Sequence, residues 1–209
     1  MIESYQRLFR NNRQWAEEQL ARDPRYFDNL SAGQSPQYLL IGCSDSRVPP
    51  NEITKTAAGE IFIHRNVANL VVHTDMNLMS VLQYAVEVLR VKHVIVMGHY
   101  GCGGVQTAID GQWHGLIDKW LRNIQDVYRL HQAELDAIPP GEQRLARLVE
   151  LNVREQVYNL YKSSIIQRAG DHTQVHGWVF DMKTGLIKDI EDELPEDWKR
   201  IKPIYKYDF

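Results

Sequence analysis

Residues 93–104 read HVIVMGHYGCGG: a short apolar run, then a histidine, then a cysteine three residues further on among glycines. A brief, continuous apolar run reads as a strand buried on both faces. Working outward, YLLIG (38–42) and EIFIHRN (60–66) read as two more strands. Residues 76–90, MNLMSVLQYAVEVLR, carry Leu78, Val81, Leu82, Ala85, Val86 and Leu89 at helical spacing. Buried strands interleaved with a helix predict an α/β fold, a mostly parallel central β-sheet flanked by helices. Further helices are expected over 114–136 and 142–168, parted at Ile138-Pro139-Pro140-Gly141. TQVHGWVFDM and GLIKDI, around Lys183-Thr184-Gly185, predict two late strands joined by a turn.

At the N-terminus, Tyr5, Leu8, Phe9, Trp15, Ala16 and Leu20 form an imperfect helical stripe over residues 3–21. The following DPRYFDNLSAGQSPQ (23–37), rich in turn formers, reads as a loop. The whole of 1–209 is read as a single domain, with an N-terminal helical arm over 1–30 and a C-terminal tail over 191–209. The length suffices to bury a core.

Hydrophobic residues make up 44% and charged residues 24%, and the formal net charge is −3. This ordinary balance, without a basic run, argues against nucleic acid and anionic membrane as partners. No stretch approaches the roughly 20 apolar residues of a membrane span. The polar N-terminus lacks the features of a secretion signal, so a cytoplasmic protein is expected. Two cysteines, Cys43 and Cys102, are too few for a disulfide framework.

Both cysteines fall where chemistry is expected. Cys43-Ser44-Asp45-Ser46-Arg47 follows YLLIG, and His99-Tyr100-Gly101-Cys102-Gly103-Gly104 follows HVIVMG. Each segment starts at the carboxyl end of a predicted parallel strand, the edge at which open α/β sheets bind ligands. Two thiolates and an imidazole suit Zn²⁺, and three protein ligands leave the fourth position for water. If the first segment is extended, Cys43, Asp45 and Arg47 point to one side. Asp45 would then either ligate the metal or accept a hydrogen bond from its water, and an Arg47 fork would compete with ligation. The glycines after Cys102 let a substrate approach backbone N–H groups at the start of a helix expected over 103–109. The plainer readings are a pair of buried apolar thiols or a redox pair, but no C-x-x-C is present. His64, His73, His93, His114, His131, His172 and His176 are read as surface or core residues, and Met76 and Met79 as packing.

IGCSDSRVPP, GEIFIHRNVAN and VMGHYGCGG in this order resemble the β-class carbonic anhydrases, bacterial ones especially. The likeness spans roughly residues 30–190 and includes ELNVREQVYNL and His176-Gly177-Trp178. It implies one Zn²⁺ per chain on Cys43, His99 and Cys102, hydration of carbon dioxide to bicarbonate by a zinc-bound hydroxide, an Asp45 that orients that hydroxide, and an Arg47 that holds Asp45. It implies that the Gly103 backbone helps bind bicarbonate, and that Gln34, Phe62 and Tyr84 line the substrate pocket at a dimer interface. Members form homodimers or dimers of dimers, with the N-terminal helix reaching the partner subunit. Some have a closed state in which the residue matching Asp45 replaces water on the zinc. Related bacterial enzymes are inhibited by bicarbonate at a site that uses a tryptophan at the position of Leu40 and a tyrosine at that of Phe180. This sequence keeps Gly42, Val48 and Arg65 but lacks both aromatic donors, so an open site without strong bicarbonate regulation is expected. Two alternatives stay open: a carbon disulfide or carbonyl sulfide hydrolase on the same scaffold, and a non-catalytic zinc- and bicarbonate-binding protein.

Overall fold

A computed structural model of the chain describes residues 2–190 and 202–209; the expected tail therefore lies outside the described residues over 191–201. The chain forms two compact units, Met1–Ser35 and Pro36–Phe209. The first contains the expected helix, α1 (Ile2–Arg22), and a second, α2 (Tyr26–Ser31), inside the stretch read as a loop. Asp23 and Pro24 do end α1, but Trp15 meets Tyr26 and Phe27 edge-on, with ring centroids 6.1 and 5.7 Å apart. That aromatic contact gives the turn-rich segment a surface to coil against, which outweighs its local composition.

The second unit runs β1 (Tyr38–Cys43), α3 (Pro50–Thr54), β2 (Ile61–Asn66), α4 (Met76–Gln83), β3 (His93–His99), α5 (Gly103–Ala108), α6 (Asp118–Leu130), α7 (Gln132–Ala137), α8 (Glu142–Lys162), α9 (Ser164–Ala169), β4 (Gln174–Asp181) and β5 (Leu186–Asp189). The strands form one five-stranded sheet in the order β2-β1-β3-β4-β5. All neighbours are parallel except β4 and β5, the predicted late pair. The helix expected over 76–90 ends its regular part at Gln83 and closes with a wider turn, in which Leu89 N–H donates to the Tyr84 carbonyl (2.9 Å). The segments expected as single helices over 114–136 and 142–168 each break once, at His131 and at Ser163. Ser163 ends one helix and caps the next, its hydroxyl accepting from the Ile166 N–H (3.3 Å).

Alternation along the strands sends side chains to two clusters. Leu39, Ile41, Val94 and Val96 pack with Val149, Val153 and Val157 of α8. Leu40, Ile95, Met97 and Phe180 form a smaller cluster with Val48 on the opposite face. Helix α8 approaches β3 closely at Gly98, where an added Cβ would lie 2.6 Å from Val153 Cγ2. Only a glycine permits that approach, and His99 is the next residue. No described helix is long and apolar enough to cross a membrane.

Candidate metal centre

Strand β1 ends at Cys43 and β3 at His99, and the two strands are parallel neighbours. Their last residues therefore share one edge of the sheet. The chain turns at Gly101, where φ is +68°, and Cys102 immediately precedes α5. The sulfurs of Cys43 and Cys102 lie 3.9 Å apart. One ligand atom from each of Cys43, His99 and Cys102 falls within 4.8 Å of the others, and all three residues are buried. This is the sole cluster of that kind among the described residues.

The donor set fits zinc. Two Zn–S bonds of about 2.3 Å at a tetrahedral angle separate the sulfurs by about 3.8 Å. His99 Nδ1 lies 3.1 Å from the Tyr100 carbonyl oxygen. A carbonyl only accepts, so Nδ1 carries the proton and Nε2 a bare lone pair. That Nε2 is buried and has no hydrogen-bond partner, a state a cation relieves. The thiols argue the same way. As a protein-only pair they divide one proton: hydrogen bonding between them lowers the Cys43 pKa and, together with burial, raises that of Cys102. A divalent cation favours both thiolates at once.

Backbone N–H groups complete the cradle. The backbones of Ala68 and Asp45 favour the Cys43 thiolate, and those of Val105 and Gly104, at the start of α5, favour that of Cys102. Ala68 and its neighbour Asn69 occupy the left-handed region, with φ of +65° and +49°. Such a backbone persists only when its surroundings hold it. Trp120 Nε1 donates to the Val67 carbonyl (2.8 Å), Asn152 Nδ2 to that of Ala68 (3.1 Å), and the Asn66 amide bridges the N–H and carbonyl of Leu70 (2.8 Å each).

Asp45 and Arg47 come together through a turn, which corrects the extended reading of 43–47. Val48 N–H donates to the Asp45 carbonyl (3.2 Å), and Arg47 N–H to Asp45 Oδ1 (3.0 Å). An aspartate side chain that captures its own downstream amide favours this turn over a continued strand. The guanidinium then forks onto the carboxylate, Nε to Oδ1 (2.9 Å) and Nη2 to Oδ2 (2.6 Å). That fork holds the Asp45 pKa well below the usual carboxylate range. Asp45 Oδ2 stands 3.7 Å from His99 Nε2.

Arg65 clamps the same loop from the neighbouring strand. Its Nε donates to the Cys43 carbonyl (2.7 Å), and its Nη2 to those of Asp45 (2.6 Å) and Val48 (3.0 Å). Sequence reading noted Arg65 only beside Leu40 and Phe180. Nothing local in EIFIHRN announces three carbonyl partners 17 to 22 residues away.

The other expected residues are distributed as follows. Gly103 heads α5, which is six residues long and ends at Ala108, one short of expectation. Phe62 and Tyr84 meet with ring centroids 5.9 Å apart, tilted by 37°. Phe62 pairs with Leu39, two residues from Ile41 and four from Cys43, so it shares their face of the sheet. Gln34 is exposed in the N-terminal unit. Leu40 and Phe180 are buried in the same small apolar cluster. A cavity of about 720 Å³ is bordered by Arg47, Tyr100, Gly101, Leu145, Phe180 and Met182, none of them among the expected pocket residues. The remaining histidines have ordinary partners: His73 the Asn159 carbonyl, His114 Asp110, His131 Glu155, His172 the Arg90 carbonyl, His64 the Asn66 amide, and His93 and His176 each other.

The sequence family described as carbonic anhydrase matches residues 38–187. The chain is 49% identical over 206 residues to a carbonic anhydrase of Emericella nidulans, covering 97% of this chain and 90% of that one. Its fold is similar to the crystal structure of the β-carbonic anhydrase CafA of Aspergillus fumigatus, with a TM-score of 0.90 and 34% identity over 98% of this chain and 100% of that one. It is also similar to one of two tetrameric β-carbonic anhydrases from Sordaria macrospora, with a TM-score of 0.86 and 38% identity over 90% and 97% of the two chains. With a family match over most of the sheet and the ligand-bearing loops, this chain belongs to the β-class carbonic anhydrases.

Proposed function

We propose that the protein catalyses the reversible hydration of carbon dioxide to bicarbonate and a proton, with one Zn²⁺ held by Cys43, His99 and Cys102. One observation carries the reading: the bare, buried Nε2 of His99 faces two sulfurs 3.9 Å apart, beside a carboxylate whose two oxygens are both taken by Arg47. Zinc, when bound, lowers the pKa of a water to about 7 and so supplies a nucleophile at neutral pH.

The chain's own groups do the rest. An ionised Asp45 only accepts hydrogen bonds. A water beside it must give its hydrogen to the carboxylate, which turns a lone pair toward the substrate carbon. Arg47 keeps Asp45 in that orientation and away from the metal, so the open arrangement is the resting one. The Gly103 backbone meets the bicarbonate product. Phe62 and Tyr84 form an apolar wall for carbon dioxide, and the pocket is completed between two copies of the chain.

A homodimer or dimer of dimers is the working form. In α1, Tyr5, Leu8, Phe9, Trp15 and Leu20 are all at least partly exposed, an interrupted apolar stripe suited to a partner subunit. The free thiols suit a reducing compartment, and we assign the enzyme to the cytoplasm. Bicarbonate inhibition is weak, because buried Leu40 and Phe180 offer the anion no side-chain donor.

Stopped-flow carbon dioxide hydration across about pH 6.5–9, on protein of known zinc content, tests the reading. The expected result is activity rising with pH through a single ionisation, at about one zinc per chain. Full zinc occupancy with no hydration at any pH would remove the catalytic assignment.

A further inference from the structure

Tyr100 is fixed at three points. Its N–H donates to the Phe180 carbonyl (3.0 Å), its carbonyl accepts from His99 Nδ1 (3.1 Å), and its phenol donates to Glu150 Oε1 (2.6 Å). Glu150 belongs to α8 and is itself held. Arg147 Nη1 reaches Oε2 (2.8 Å), and Lys188 Nζ of β5 reaches Oε1 (2.8 Å). Its side chain is 12% exposed. Three elements, the ligand loop, α8 and β5, thus converge on one carboxylate.

The Tyr100 carbonyl is what selects the His99 tautomer, and a carbonyl orients a ring only if its own peptide is held still. The next residue, Gly101, has a positive φ and no side chain, so it gives the loop no side-chain anchor of its own. The phenol–Glu150 bond provides the anchor. We infer that Glu150, acting through the Tyr100 hydroxyl, is a positioning residue for the metal site, fixing the peptide that keeps His99 Nε2 bare and aimed at the two sulfurs. The inference rests on the zinc reading above. The cationic partners keep Glu150 ionised, its pKa lying below the ordinary value: burial raises it, and hydrogen bonds from Lys188, Tyr100 and Arg147 outweigh that.

The test is zinc transfer from the loaded protein to a chromophoric chelator, compared between wild type and variants. Tyr100→Phe removes one hydroxyl and keeps the ring. It is expected to weaken zinc binding roughly 10-fold or more, the scale for losing an outer-shell partner of a metal-bound histidine. Tyr128→Phe is the control for a lost phenol–carboxylate bond, because its hydroxyl on α6 donates to Asp136 of α7 (2.6 Å) and to none of the three candidate ligands, and its zinc affinity should match wild type. Glu150→Gln keeps an acceptor for the phenol and should stay near wild type. Glu150→Leu should resemble Tyr100→Phe, and the double variant should be no worse than the stronger single one, because both break one link. If Glu150→Leu does not fold, Tyr100→Phe alone decides. Zinc held by Tyr100→Phe as tightly as by Tyr128→Phe, or losses that add in the double variant, would overturn the inference. A wild-type protein that takes up no zinc would instead overturn the function proposed above.

Discussion

Replacing Gly98 by alanine puts a methyl group where Val153 already stands. The new Cβ would lie 2.6 Å from Val153 Cγ2, 3.4 Å from Asn69 Oδ1 and 3.6 Å from Val149 Cγ1. Carbon atoms settle at about 3.5–4.0 Å, so the first contact is short by about 1 Å. A valine in a helix is stiff at χ1 and has no other rotamer to escape to. Relief must therefore come from parting α8 and β3. Overpacking costs about 1–3 kcal/mol, a backbone-borne contact this short standing at the upper end, and the lost flexibility of glycine in the unfolded chain returns roughly 0.5–1 kcal/mol. A net loss of about 2 kcal/mol lowers the melting midpoint of a chain of this size by about 4–8 °C. The companion Val153→Ala removes both methyls and leaves a hole, for about 2 kcal/mol on its own. Combined, the two changes should cost about 2 rather than about 4 kcal/mol, because the alanine methyl enters that hole. Thermal melts of the zinc-loaded proteins read all four corners of the cycle. A Gly98→Ala midpoint within about 2 °C of wild type, or strictly additive losses, would refute the steric argument.

Three further outcomes follow from the site. Cys102→Ser should leave the purified protein with far less than one zinc per chain by elemental analysis, because a hydroxyl is a poor substitute for thiolate. Asp45→Asn should keep its zinc and lose most hydration activity, roughly 10²–10⁴-fold, since the amide replaces one acceptor oxygen by an NH2 donor and carries no charge; unchanged turnover would take Asp45 out of the mechanism. Glu150 has a folded pKa below its ordinary 4.5, so its stabilising contribution is complete above that value and fades as pH falls through the folded pKa. Glu150→Gln should therefore lose less stability than wild type between about pH 5 and 3 in urea titrations, and parallel curves would contradict the assignment.

The sheet and the residues of the Cys43–His99–Cys102 cluster were legible for one reason: both are local. A continuous apolar run declares a buried strand, and a cysteine or histidine at its end is visible without any partner. What was not legible depends on residues distant in sequence. The second helix of the N-terminal unit needs Trp15 to reach Tyr26 and Phe27. The Arg65 clamp needs β2 beside β1, and the Tyr100 anchor needs α8 and β5. The turn at Asp45 was within reach of sequence reasoning, since aspartates often capture their own backbone. The extended reading instead carries the strand period to Arg47, four residues beyond the end of β1 at Cys43. The left-handed Ala68 carries no residue signal at all, because glycine or asparagine is the usual occupant of such a backbone.

The two cysteines are 59 residues apart in the chain, and a metal shared between them is a cross-link. On the chain-entropy scale used for disulfides, closing a loop of about 60 residues removes roughly 4 kcal/mol of freedom from the unfolded chain. The loop in question contains α3, β2, α4 and the whole of β3, and the pairing of its two strands with β1 builds the middle of the sheet. Zinc bound as proposed would act twice in this protein, as reagent and as rivet, and stripping it should loosen the centre of the sheet together with its catalytic edge.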